Sequence, residues 1–480
     1  MRYVVVGSGI SGLSAAIFLA RQGHAVTVLE AASSPAPLLR GFRRQGLHFD
    51  TGFHCGGGLH EGGVLRRWLR ALGVERALGN IRTGRRDVFC FADGSRYCLP
   101  DGHGAVCAAV DRQFPGTGDA LCALLQDMER QLAHSPYLNP AVSGDPAPVW
   151  HRRGNTDGIL QGAGFPAALR AMLGARCLLY GVLPHESAWE DYALVAGPYF
   201  QSNGSWDGGG AALAAGLLDI LQKTGVPVRC GQTVCGLDVS AGKNVSGVFV
   251  HGGERLACDL CLFTGHPSQL ASIVPGGLFR PAYLHRIADL PESRSALLLF
   301  AEARGVLHPG ESVHLLPEAE SACVFPGLEA EEPCLHLFCD RPQHDGRMAV
   351  MAAAFLPPGA PPASPRACAD WKREAVARVR AQAEKRLPGL ADAWHVLDAA
   401  TPLTLRRWIH GSTGSLYGVG HHWHAMPLLP VTRLPGLLLA GQNILLPGVL
   451  GGIVSAALAV GFAVGHDAVL KEFRQCGENG

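Results

Sequence analysis

The chain has almost no net charge to offer a polyanion or a polycation. Its 41 lysines and arginines stand against 40 aspartates and glutamates, for a net charge of +1. There is no basic surplus for a phosphate backbone and no acidic tail for a cationic partner, so nucleic acid is excluded as a ligand class. Charge of either sign is also scarce, at 17% of 480 residues against 48% apolar. Ordinary soluble domains carry more charge and fewer apolar residues. The surplus leaves ample core and some apolar surface for a greasy ligand or a bilayer. No separate targeting segment is expected, because Met1-Arg2 runs straight into Tyr3-Val4-Val5-Val6. That predicts cytosolic synthesis and reduced thiols for the 15 cysteines.

Other absences narrow the chemistry. Cys258 and Cys261 form a CxxC without a second pair at zinc spacing, and read as two small side chains in a buried strand. His421, His422 and His424 have no carboxylate at useful spacing, so no metal is expected. They read as lining a substrate mouth or a solvated loop. No Ser/His/Asp or paired-carboxylate arrangement stands out. The uncharged stretch from Leu434 to Gly465 is long enough to cross a bilayer, but Gly441-Gln442-Asn443, Pro447 and Gly451-Gly452 break it. It reads as a buried strand, Leu437 to Ala440, and a buried helix, Ile453 to Val464.

What is present is concentrated in the first thirty residues. An apolar strand, Tyr3 to Val6, leads into Gly7-Ser8-Gly9-Ile10-Ser11-Gly12. A helical pattern to Gly23 follows, and a second strand, Ala25 to Leu29, ends on Glu30. This is a dinucleotide fingerprint inside the βαβ context it requires. Gly7 serves the tight turn, Gly9 the approach of a pyrophosphate and Gly12 the packing of helix on strand. The helix N-terminus offers free N–H groups to the phosphates. Glu30 is placed to accept from ribose hydroxyls and would repel a 2′-phosphate, which disfavours NADP. No second GxGxxG is available for a nicotinamide.

Later segments return to this unit. Ala211 to Thr224 reads as an apolar helix, and Val226 to Phe263 as closely spaced strands forming a β-meander. Leu437 onward adds a final parallel strand. The predicted fold class is α/β: a Rossmann-type dinucleotide-binding domain with a parallel sheet plus β-meander, built from 1–95, 211–275 and 426–480. An inserted α+β substrate domain takes 96–210 and 276–425. Val64 to Leu72 reads as an amphipathic helix that either packs on the core or rests its basic face on anionic lipid. The predicted location is cytoplasmic, with peripheral contact at the inner face of the membrane as the accompanying possibility.

Three stretches carry a resemblance. The N-terminal VVVGSGISGLSAAIFLARQGHAVTVLE, the segment Gly46-Leu47-His48-Phe49-Asp50-Thr51-Gly52-Phe53-His54, and a C-terminal block together resemble the amine-oxidase-type FAD oxidoreductases. Ala400 to Thr404, Gly414 to Gly418 and Pro435 to Gln442 make up that block. Within the superfamily the chain is most similar to phytoene desaturases, carotenoid isomerases and retinol saturases. The resemblance implies FAD as cofactor. Gly7, Gly9 and Gly12 would then lie at the pyrophosphate, Glu30 at the ribose, and the Val234 backbone at the adenine. Gly441 and Gln442 would lie along the ribityl and phosphate chain, and Gly448 at the flavin pyrimidine edge. It further implies hydride transfer to or from C=C bonds of an apolar polyene or isoprenoid, with an external electron donor or acceptor. His54 and Tyr417 are the candidate catalytic residues. A flavin amine oxidase-like enzyme acting on a polar substrate, and a non-catalytic prenyl-binding protein like the Rab GDP-dissociation inhibitors, are the alternatives on this scaffold. One departure is clear: where the family has a Gly-Gly turn, this chain reads Ser34-Pro35-Ala36-Pro37. The exchange is expected to remove positive-φ freedom and a backbone donor.

Overall fold

The computed structural model describes residues 1–143, 146, 152–305, 307–342, 345–359, 365–409, 411 and 413–476. Two sheets organise it. The first is fully parallel and runs Val228–Cys230, Ala25–Glu30, Arg2–Val6, Leu260–Phe263, Leu437–Leu439 in spatial order. Its strands are short apolar runs, as expected where helices cover both faces of a parallel sheet. Helix Ile10–Arg21 follows the first strand and packs with helix Gly448–Val464 into one core. The three-stranded meander Val234–Val239, Val245–Val250 and Arg255–Ala257 lies beside it. The run from Arg255 to Phe263 is two strands rather than one. Cys258-Asp259 separates them, and the Asp259 amide donates to the Arg2 carbonyl, so Leu260–Phe263 enters the parallel sheet.

The second sheet has seven strands, in the order Trp394–Ala400, Ser295–Ala303, Met348–Leu356, Leu335–Pro342, Glu311–Leu316, Arg86–Phe91, Arg96–Leu99. Its strands read as continuous hydrophobic runs because both faces are covered. Along Ser295–Ala303, Ala296, Leu298 and Phe300 enter one core while Leu297, Leu299 and Ala301 enter another, which is the two-residue period of a strand. Arg86–Phe91, placed by sequence with the dinucleotide-binding segments, belongs here instead. It pairs in parallel with Glu311–Leu316, with Asp87 opposite Ser312. A pairing across more than two hundred residues leaves no local trace in the sequence.

Helix Gly209–Lys223 begins two residues earlier than the apolar pattern suggested. The Asp50 carboxylate of the Phe49-Asp50-Thr51-Gly52 segment accepts from the Gly210 amide at 2.9 Å, which satisfies one of the free donors of its first turn. Helix Val64–Leu72 buries Val64, Leu65, Trp68 and Leu69. Its Arg66 and Arg70 both pair with Glu61 and Glu75. Two of its three arginines are therefore matched by carboxylates, and its apolar side packs on the core. Cys258 and Cys261 are buried, with burial raising both thiols. Cys107 and Cys122 are joined as a disulfide between neighbouring helices, a departure from the fully reduced set expected. Among the described residues, no helix is long and apolar enough to cross a membrane.

Candidate active site

The fingerprint glycines differ in what surrounds them. Gly7 has φ +100°, and a Cβ there would overlap the Thr264 hydroxyl. A Cβ on Gly12 would overlap the Gly7 carbonyl oxygen, whereas Gly9 faces open space with nothing within 4 Å. Two glycines thus hold the turn and the helix, and the third leaves room for a ligand. Helix Ile10–Arg21 starts there without an acidic residue or a side-chain cap, so its first N–H groups are free for phosphate. Glu30 ends the second strand and is buried. One carboxylate oxygen accepts from the Ser8 amide at 2.8 Å and the Ser8 hydroxyl at 2.6 Å, the other from the Ala32 amide at 2.8 Å. Val234 opens the meander opposite Val250, and the Gln232 amide just before it donates to the Glu30 carbonyl.

The Ser34-Pro35-Ala36-Pro37 turn keeps the left-handed conformation without a glycine. Ala36 sits at φ +50°, fully buried, with its amide donating to the Ser8 hydroxyl at 2.9 Å. The expectation that losing the Gly-Gly pair removes positive φ fails at this residue. The small methyl group fits, at the conformational cost an L-residue bears there.

A second set of groups lies near a cavity of about 370 Å³, which Gly448 lines and Gly7, Gly9, Gly12, Glu30, Val234, Gly441 and Gln442 do not. Gly441, at φ +108°, closes the last parallel strand, and its amide donates to the Ser455 hydroxyl at 2.9 Å. Gly448 begins helix Gly448–Val464 at φ +86° with nothing within 4 Å of a Cβ. No acid stands in that helix's first turn, so its dipole end faces the cavity uncompensated. Gln442 presents its carbonyl to the His421 imidazole at 2.8 Å. Asn443, its neighbour, is committed to the Val419 amide through its side-chain oxygen.

His54 and Tyr417 both line the cavity. The His54 ring stacks on Phe338 at 4.9 Å. Burial, aided by the Arg85 charge, lowers its pKa to about 3, so it is a neutral imidazole. Burial raises the Tyr417 phenol, which keeps its proton. The three C-terminal histidines diverge. His421 lines the cavity, its pKa lowered by burial to about 4. The backbone carbonyl of His422 accepts from Arg152 at 2.8 Å, and the His424 ring lies tilted against Trp423.

Several cavity residues escaped sequence reasoning. Helix Trp189–Gln201 presents Glu190, Asp191, Leu194, Val195, Pro198 and Tyr199 to the cavity, a helical-face spacing that held the signal. Behind Cys55, Tyr199 and Phe338 lies a separate cell of about 10 Å³, the space of one water. Three residues lining it, Arg176, Asn203 and His314, each carry a buried polar atom without a partner. Asp87 anchors this cell, accepting from Arg176 at 2.7 Å and lying 3.2 Å from the His314 imidazole.

The residues present fit a bound dinucleotide carrying a flavin. The Gly9 and Gly448 sites are open, two uncapped helix ends provide donors, and Glu30 is fixed by three hydrogen bonds. A family profile described as an NAD(P)-binding Rossmann-like domain matches residues 5–72. Over 95% of its length the chain is 25% identical to the all-trans-retinol 13,14-reductase of Macaca fascicularis, covering 84% of that protein. It is 29% identical to the phytoene dehydrogenase of Streptomyces griseus over 54% of this chain and 53% of that protein. Among solved structures, an oxidoreductase from Methanosarcina mazei superposes with a TM-score of 0.67 at 14% identity, over 95% of this chain and 99% of the other. The fingerprint and parallel sheet are those of a Rossmann-type dinucleotide-binding fold, and along nearly its whole length the chain is similar to flavoprotein-type oxidoreductases such as the retinol reductase.

Proposed function

We propose that the protein is an FAD-dependent oxidoreductase acting on C=C bonds of an apolar polyene or isoprenoid, with saturation as the favoured direction. The observation that carries this reading is the cavity itself. Its wall is mainly apolar, and it runs from the Gly448 helix end to a mouth where Leu429 and Phe462 are 44% and 45% exposed. Met426, beside that mouth, is 64% exposed. A greasy substrate would enter there from a bilayer surface. Relatives that span nearly the whole chain include four retinol reductases and a hydroxyneurosporene desaturase, a balance that favours saturation over desaturation.

FAD, when bound, would supply hydride exchange with the substrate carbon. Gly7, Gly9 and Gly12 would take its pyrophosphate, Glu30 its ribose and the Val234 backbone its adenine. Gly441 and Gln442 would hold the ribityl and phosphate chain, and the Gly448 amide the pyrimidine edge. We divide the chain accordingly into a discontinuous FAD-binding part, 1–95, 211–275 and 426–480, and a substrate part, 96–210 and 276–425, with strand Arg86–Phe91 crossing that border into the second sheet. Tyr417 holds a proton at its hydroxyl beside the cavity and is our assignment for the group that protonates the second carbon. His54, neutral, orients by hydrogen bonding. The dry wall excludes water from the reacting carbons. An external carrier would exchange electrons with the cofactor.

Anaerobic mixing of the dithionite-reduced protein with a conjugated polyene tests the proposal. A blue shift of the polyene with a gain of two hydrogens by mass is expected, and an unchanged polyene would count against it. Tyr417→Phe should slow product formation by about 10²-fold or more, with polyene affinity unchanged. A second reading, oxidation of an amine, draws support from Tyr199 and Tyr417, two aromatic residues that share the cavity wall. Hydrogen peroxide release from an alkylamine under air would select it.

A further inference from the structure

One end of the cavity is polar. Glu190 and Asp191, at the start of helix Trp189–Gln201, stand there with Arg152. Arg152 lies 3.3 Å from an Asp191 carboxylate oxygen and donates to the His422 carbonyl. Glu190 accepts from the Arg153 amide and side chain, both through the same oxygen, at 3.2 Å. Its other oxygen is buried and has no hydrogen-bond partner. A buried acceptor left idle is unfavourable, and more so when charged. An oxygen of this kind at a cavity wall is a position for a donor that the protein does not itself provide.

The surrounding charges define the donor. Asp191 is matched by Arg152, and Glu190 shares Arg153 with Asp127, which Arg130 also holds. The end is formally neutral, so it offers no net charge to hold an ammonium and no free cation for a carboxylate. A neutral O–H satisfies both conditions. We propose that the Glu190 carboxylate receives the terminal hydroxyl of the substrate, making Glu190 a specificity-determining residue that selects a polyene alcohol over the hydrocarbon and over the acid. This rests on the polyene reading above.

The test is a binding titration, followed by polyene fluorescence, of the purified holoprotein in its oxidised form. Three polyenes of equal length are used: the primary alcohol, the hydrocarbon and the carboxylic acid. The alcohol is expected to bind at least tenfold more tightly than either of the others, the difference one hydrogen bond to a charged group supplies. Glu190→Gln should shrink the alcohol's advantage over the hydrocarbon to threefold or less while leaving the hydrocarbon's own affinity unchanged, which also reports that the variant is folded. Equal affinity for alcohol and hydrocarbon in the parent, or an equal loss for both in the variant, overturns the inference and leaves the polyene reading standing. Binding of none of the three overturns both.

Discussion

Two aspartate–arginine pairs flank the same cavity, and they behave in opposite ways. Asp87 and Arg176 lie 2.7 Å apart behind the wall, where both are buried. Burial alone would raise the Asp87 carboxyl, but Arg176, His314 and Arg85 together overcome it and hold the pKa at about 2. Asp191 and Arg152 lie 3.3 Å apart at the cavity's polar end. There burial dominates, Arg152 offsets only part of it, Glu190 adds repulsion, and Asp191 rises to about 6. The same residue types give a locked structural ion in one place and a titratable group in the other. The number of partners decides, since only a carboxylate with several donors recovers its desolvation cost. A perturbed carboxyl in a cavity, next to an idle acceptor, marks the functional side.

The widest separation between the pairs should come from truncation. Asp87→Ala leaves Arg176 buried without its carboxylate and is expected to cost roughly 3–5 kcal/mol in chemical denaturation. Asp191→Asn should be no less stable than the parent at pH 7. Equal losses in the two variants would erase the distinction.

Stability against pH sharpens it further. Asp87 has a folded pKa below its ordinary value of 3.8. Its contribution is therefore present above about pH 4 and is lost as pH falls toward 2. Asp191 has a folded pKa above that value, so its contribution is present below about pH 4 and is lost as pH rises through about 6. Each limb should amount to roughly 2–3 kcal/mol, from a shift of about two pH units. Asp191→Asn should flatten the pH 4–6 limb alone, read from thermal melting across buffers. If the parent shows no fall between pH 4 and 6, the Asp191 account is wrong.

The smallest effect is expected at the substituted turn. Ala36→Gly relieves a left-handed alanine at φ +50° and should gain about 1 kcal/mol less the entropy glycine adds to the unfolded chain. A loss would mean that the Ala36 methyl contributes more by packing than the backbone costs.

How much of this was legible follows from locality. Gly7, Gly9, Gly12 and Glu30 sit within one βαβ unit, so spacing alone picked them out as candidates. The broken apolar stretch resolved into a strand and a helix as read, Leu437–Leu439 and Gly448–Val464, but the helix begins five residues before Ile453. Asp87 was invisible because its partners, Arg176 and His314, come from other parts of the chain. Glu190 and Asp191 are first-turn acids of helix Trp189–Gln201, a common position for acids at a helix N-terminus. Only the fold shows that their face is a cavity wall. Ala36 misled because residue type forbade what the surrounding hydrogen bonds enforce.

The proposed activity is hydride exchange between a flavin in this site and a polyene. The visible absorption spectrum of the purified protein, followed through anaerobic dithionite reduction and polyene addition, tests it most directly. Oxidised flavin bands that bleach with dithionite and return in proportion to added polyene are the predicted result. A protein that stays colourless even after incubation with FAD, or bleached bands that no polyene restores, would contradict it.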